Sequence, residues 1–374
     1  MWRKLVKLMR FDGPGGKPNP LKRRVAPAAT PLAETAFSPN PGNLRMFSFV
    51  PAKPKGAPLV VLLHGCGQTA AGYDLGAGWS QLGADKGFAV LAVEQKGVNN
   101  PGTCFNWFNP EDVTRDSGEV ASIAAMIVQM VGAHGLDPKR VFITGLSAGG
   151  AMTAAMLATY PEIFAGGAII AGLPFGAAAN VGEALGAMRA APLKTPHQWG
   201  DLVRAASSHA GAWPRISIWH GGMDATVNVG NAQAAAAQWA DVHGLKLTEA
   251  KQQAIGTAMR LSWGDKLEVI TIPAMGHGTP IDSDAVGAPA PYILEAGISS
   301  TMRIADFWGL LETAKAAPKP KPAPIHIVPP PEPALPKIEQ AFKGKAAPQP
   351  APLNARVDAI IRRALKAAGL IKKR

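Results

Sequence analysis

Two hydrophobic patterns take turns along the middle of this chain. The runs 58–63 (PLVVLL), 87–95 (GFAVLAVEQ), 141–144, 165–171 (AGGAIIA), 215–220 (RISIWH) and 267–273 are apolar at almost every position. That is the pattern of strands buried on both faces of a parallel sheet. An alternating run at 44–50 predicts an edge strand. Between these runs lie segments with helical spacing: 71–86, 116–134, 151–160, 231–243, and a last one from 297 to about 315. In 116–134, Val120, Ile123, Ile127, Met130 and Val131 share one face. Residues 173–213 are less regular, with two short helical stretches, and are expected to cap the site. Strands alternating with helices predict an α/β fold with a doubly wound, mostly parallel sheet in a single domain over 43–315.

The ends read differently. Residues 1–42 form a basic arm, rich in Pro, Gly and Ala from 11 onwards, and its first ten residues (MWRKLVKLMR) have the makings of a short surface helix. Residues 316–352 hold 12 of the 34 prolines and predict an extended linker. In 353–374, Val357, Ile360, Ile361, Ala364, Leu365 and Ala368 return to helical spacing among Arg356, Arg362, Arg363 and Lys366, which predicts a basic amphipathic helix.

Charge follows this division. Residues 1–24 carry eight Lys/Arg against one Asp, and 353–374 carry seven against one. Over 25–314 there are 17 basic and 22 acidic residues. The net +12 therefore belongs to the ends, and no nucleic acid partner is expected for the body. The basic ends are instead suited to contact with an anionic surface. No apolar run reaches the roughly 18 residues of a membrane span. Two cysteines, Cys66 and Cys104, are too few for a disulfide framework; one bridge between them and two separate thiols both remain open. A zinc site would need more ligands nearby, so no metal and no cofactor is expected.

The chemistry centres on 140–151 (RVFITGLSAGGA), where Gly145-Leu-Ser147-Ala-Gly149 fits G-x-S-x-G between a strand and a helix. A serine on such a tight turn is presented beside a helix N-terminus, the setting of a nucleophile elbow. A hydroxyl needs a base, and the base needs a carboxylate. In that architecture the chain order is Ser, then Asp or Glu, then His, each on a loop after a strand. Asp224, after the strand 215–220, and His277, between Gly276 and Gly278, satisfy it. His220 stands directly before the acid loop and reads as a packed structural residue. His197, His209 and His243 fall in helical or cap segments, and Asp282 and Asp284 come out of order. Two N–H donors are required for the oxyanion. The amide of Ala148 heads the helix, and that of Cys66 lies in the loop after 58–63.

Five stretches in order, His64-Gly-Cys-Gly-Gln68, Cys104-Phe-Asn-Trp-Phe108, Gly-Leu-Ser147-Ala-Gly-Gly, Trp-His-Gly-Gly-Met-Asp224 and Gly-His277-Gly, resemble the esterase family of poly(3-hydroxybutyrate) depolymerases, which also takes in feruloyl and acetyl-xylan esterases. The resemblance spans roughly 43–314. It implies an α/β-hydrolase fold, a triad of Ser147, Asp224 and His277, and hydrolysis of carboxylic esters, foremost of 3-hydroxyalkanoate polyesters or their oligomers. Trp107 and Gln68 are candidates for the substrate groove. The resemblance implies an extracellular enzyme. The first ten residues hold no continuous apolar stretch of the secretory kind, which makes the cytoplasm the alternative. A surface-binding protein on a hydrolase scaffold is the reading of another class.

Overall fold

A computed structural model of the chain describes residues 32–311. Ten strands form one sheet in the order β1-β2-β4-β3-β5-β6-β7-β10-β9-β8. They are β1 (Ala33–Thr35), β2 (Arg45–Phe49), β3 (Leu59–Leu63), β4 (Ala89–Glu94), β5 (Val141–Leu146), β6 (Gly166–Ile170), β7 (Arg215–Gly221), β8 (Lys251–Ile255), β9 (Ala258–Trp263) and β10 (Leu267–Ile272). The six central strands, β4 to β10 in that order, run parallel, and two antiparallel strands flank them on each side. A small parallel pair, β11 (Thr279–Ile281) and β12 (Ile293–Glu295), stands apart.

The continuous apolar runs are explained by a core on each face. From β3, Leu59, Val61 and Leu63 enter one core, and Val60 and Leu62 the other. The first face is covered by α4 (Gly118–His134), α5 (Ala148–Thr159) and α8 (Gly230–Val242), and the second by α1 (Ala70–Ala77), α2 (Trp79–Lys86) and α9 (Ser300–Phe307). The short α3 (Pro110–Val113) precedes α4. On the second face Trp308 stacks on both Phe142 and Trp79, with ring centroids 4.9 and 5.7 Å away. From β3 the chain moves to β4 on one side and then to β5 on the other. The order therefore reverses beside β3, and the crevice outside the carboxyl ends of β3 and β5 is where an open α/β sheet places its ligand site.

Several expectations change. β1 lies within the segment expected to be an irregular arm, so β2 is not at the edge; Arg45 pairs with Glu34 at 2.8 Å and also with Glu94. The single helix expected at 71–86 is two, broken at Gly78 with φ +77°. A Cβ at that glycine would sit 2.5 Å from Val286 Cγ2. The β8–β9 hairpin, turning at Gly256 (φ +58°), was not anticipated. The last helix stops at Phe307, two residues before Gly309 (φ +71°). The stretch expected to cap the site holds α6 (Val181–Arg189) and α7 (Pro196–Ala205) and joins the helical layer. Trp199 and Val203 are buried there, and Gln238 of α8 donates to the carbonyls of Phe175 and Trp199. The basic N-terminal residues 1–31, the linker 316–352 and the amphipathic helix expected at 353–374 lie outside the described residues.

Candidate active site

Ser147 sits between the end of β5 and the start of α5 with φ 57° and ψ −116°. A side chain at this positive φ is strained, and such strain is held where function needs it. The turn is possible because its glycines touch backbone. A Cβ on Gly145 would lie 2.4 Å from the Gly149 carbonyl oxygen, and one on Gly149 only 2.2 Å from that of Leu63. The Ser147 amide donates to the Ile170 carbonyl (2.9 Å) and the Ser147 carbonyl accepts from Ala151 (2.9 Å), so the backbone is locked on both sides. Its hydroxyl makes no hydrogen bond among the described residues and is partly exposed.

Asp224 follows β7 through a turn that lies directly on the histidine loop. Gly221 meets the carbonyls of Met275 and Gly276, each 2.3 Å from where a Cβ would stand, and Gly222 meets that of Pro273. Those two glycines are why the acid and the base come together. Asp224 Oδ1 accepts from the amides of Thr226 and Val227, both at 2.8 Å, and Oδ2 stands 2.7 Å from His277 Nδ1. Burial alone would raise this carboxyl. Hydrogen bonds from His220 and His277, the attraction of His277 and the Val227 amide outweigh it and hold the group well below the usual carboxylate range. A carboxylate on Nδ1 assigns the proton to that nitrogen and leaves Nε2 as the base.

The loop after β3 carries the expected oxyanion donor. Gly65 N–H goes to Gln68 Oε1 (2.9 Å), Gly67 N–H to the Gly102 carbonyl (2.8 Å) and Gln68 N–H to the Gly65 carbonyl (3.2 Å). The Cys66 amide, between the bonded amides of Gly65 and Gly67, has no partner among the described residues. Ala148 heads α5, where first-turn N–H groups have no intrahelical acceptor. Cys66 and Cys104 form a disulfide, which ties the loop after β3 to the segment after β4.

That segment has a buried polar anchor. Gln95 N–H donates to His64 Nε2 (3.1 Å), and its side-chain amide to Glu119 and to the Cys104 carbonyl (3.2 Å). Glu119 also accepts from the Asn106 amide (2.9 Å). Burial and the nearby Asp112 push the Glu119 carboxyl up to about 8, against the opposing Asn106 and Gln95 bonds. Burial lowers His64, whose Nδ1 donates to the Gly65 carbonyl at 2.7 Å.

The two groove candidates are placed otherwise. Trp107 is 8% exposed and packs edge-on to Phe108 within the core. Gln68 has its oxygen on Gly65 and its nitrogen on the Pro291 carbonyl (3.0 Å), making it a tie between loops. Sequence reasoning missed Tyr292. Its ring is 6.0 Å from that of His277, it is 47% exposed, and its φ is +63°. An aromatic in an unassigned stretch gave no signal of this. Sequence reasoning also missed Glu119, which sits on a helix face that otherwise reads as core. Among the described residues there is no cluster of three or more His, Cys, Asp or Glu able to hold a metal.

A family model described as Esterase PHB depolymerase matches residues 48–261, which include Ser147 and Asp224. The chain belongs to this esterase family. Over 286 residues it is 44% identical to poly(3-hydroxyalkanoate) depolymerase C of Paucimonas lemoignei, covering 74% of this chain and 69% of that protein. It is 33% identical over 241 residues to feruloyl esterase B of Thermothelomyces thermophilus, covering 59% of this chain and 80% of that protein. Among solved structures it is similar to an acetyl xylan esterase from Aspergillus awamori, with a TM-score of 0.66 and 27% identity over 75% of this chain and all of that one. As a member of the esterase PHB depolymerase family, the protein is a carboxylic ester hydrolase with an α/β-hydrolase fold.

Proposed function

We propose that the protein hydrolyses 3-hydroxyalkanoate polyesters or their oligomers through Ser147, His277 and Asp224. The 44% identity to a poly(3-hydroxyalkanoate) depolymerase carries the choice of substrate. Ser147 Oγ attacks the ester carbonyl while His277 Nε2 takes its proton, and the oxyanion is held by the amides of Cys66 and Ala148. His277 then returns the proton to the leaving alcohol, and water activated by the same imidazole clears the acyl-enzyme. Asp224 keeps the imidazole in the required tautomer and offsets its charge. Tyr292, exposed beside His277, takes the wall position expected of Trp107. A disulfide persists in oxidising compartments, so the Cys66–Cys104 bridge supports an extracellular setting. The basic ends are suited to an anionic surface, and the acidic body gives no reason to expect nucleic acid.

The second reading is a plant-wall esterase, favoured by the likeness to an acetyl xylan esterase over that enzyme's whole length. Wild type and Ser147→Ala on p-nitrophenyl butyrate, 3-hydroxybutyrate oligomers and acetylated xylan separate the two. The wild type is expected to cleave the oligomers, and the variant to lose kcat on every substrate by about 10⁴-fold or more. Preference for acetylated xylan moves the substrate to the second reading. Undiminished rates in the variant remove the elbow serine from the chemistry.

A further inference from the structure

His220 ends β7, immediately before the acid turn, and is 1% exposed. Its Nε2 lies 2.8 Å from the Val227 carbonyl oxygen and 3.3 Å from Asp224 Oδ2. A carbonyl only accepts, so Nε2 carries the ring proton and bonds the Val227 carbonyl, with an oxygen of the triad carboxylate beside it at 3.3 Å. Nδ1 is then a bare acceptor, and it has no partner among the described residues. Leaving a buried acceptor unmade is unfavourable, and a packing residue without polar atoms would avoid it. The interaction that offsets this lies on the other nitrogen.

An ionised carboxylate offers about four acceptor sites. Around Asp224 the Thr226 and Val227 amides bond Oδ1 and His277 bonds Oδ2, and His220 Nε2 stands 3.3 Å from Oδ2 on the remaining side. We infer that His220 is a positioning residue for ester hydrolysis: its Nε2–H fixes the rotation of the Asp224 carboxylate and shares Oδ2 with His277, setting how tightly the carboxylate holds the base. The inference rests on the triad reading given above. Among the described residues His220 and His277 are the titratable groups that face the carboxylate, and no Lys or Arg there pairs with it. A carboxylate relieved of one donor pulls harder on the remaining one. Loss of His220 therefore moves the acidic limb of the rate profile to higher pH and loosens the geometry as well.

The test compares His220→Met with His220→Gln, side chains of similar length of which only Gln carries an N–H. For each, kcat and KM for p-nitrophenyl butyrate are measured from pH 5 to 9, with Tm alongside. His220→Met is expected to lose kcat about tenfold, less than removal of a triad member. Its KM should stay within about twofold and its acidic limb should move up. His220→Gln is expected to recover most of kcat and the original limb. Equal profiles for Met and wild type would overturn the inference, as would a Gln variant no better than Met at the same Tm. One measurement needs no variant: nitrogen NMR of the ¹⁵N-histidine-labelled wild type. The expected finding is His220 protonated on Nε2; a proton on Nδ1 would leave no donor for Asp224 and end the idea. Asp224→Asn separates the levels. If it keeps full activity, the triad reading fails; if it is inactive while His220→Met is normal, only this inference fails.

Discussion

A methyl group added at Gly149 has nowhere to go. It would stand 2.2 Å from the Leu63 carbonyl oxygen and 2.5 Å from that of His64, both backbone at the end of β3, so relief requires moving α5 away from the sheet. Gly149→Ala should therefore lower Tm by several degrees and reduce kcat with it, since Ala148 and the loop after β3, which carry the proposed oxyanion donors, would be pushed apart. Gly132→Ala is the control: Gly132 is an exposed helical position with nothing within 4 Å of an added Cβ, and that variant is expected to hold or slightly raise Tm. Thermal melts of the pair check both signs. The residues readable from sequence share this local character. Ser147, Asp224 and His277 each follow a strand and sit among glycines, so the chain announces them where they stand. His220 reads as packing in the sequence because its second contact, on the carboxylate of the acid turn, is made only once that turn has folded back over the strand end. Trp107 is a groove candidate only through the family resemblance of the Cys104 segment, and an aromatic there looks the same in sequence whether it faces substrate or core.

At the scale of elements, α4 holds the loop that carries Cys104 through Glu119. Gln95 and Asn106 both donate to this carboxyl, which burial and Asp112 push up to about 8 from an ordinary 4.5. A raised carboxyl binds its proton more tightly in the folded chain than in the unfolded one. Stability linked to it is complete below about pH 4.5 and declines as pH rises towards about 8. Glu119→Gln removes that titration. The difference in Tm, wild type minus variant, is expected to shrink steadily from pH 5 to pH 8. A constant difference across that range would show that Glu119 does not titrate there. The central parallel strands were legible because burial on both faces forces continuous apolar runs. The outermost strands are not: β1 is exposed throughout and β8 over four of its five residues, so neither carries a hydrophobic period. Their pairing is set by backbone ladders and by ions such as Arg45 with Glu34, which sequence periodicity does not record. The break at Gly78 was hidden for a related reason, because what requires it is Val286 and Gly287, over 200 residues away.

Over the whole molecule, charge is divided between a net acidic body and basic ends. Residues 25–314 are net acidic, whereas 316–374 carry twelve Lys/Arg against three Asp/Glu. On the proposed mechanism, ester hydrolysis draws on loops after β3, β5, β7 and β10, all within the described residues. A chain ending at 315 is therefore expected to keep kcat/KM on p-nitrophenyl butyrate within about twofold of the full chain, as a change remote from the chemistry should. Attachment should behave differently. The full chain is expected to co-sediment with vesicles containing phosphatidylserine at low salt. It should be released near 1 M NaCl, where the screening length is about 3 Å. The shortened chain should bind far less. Undiminished binding by the shortened chain would move the attachment to the eight basic residues of 1–24 or to the body itself. Hydrolysis lost together with binding would instead make the C-terminal residues part of the catalytic unit. A charged tail acting only by screened attraction predicts neither result, because the proposed triad and oxyanion donors lie on loops at one end of the sheet, held by backbone contacts that ionic strength leaves alone.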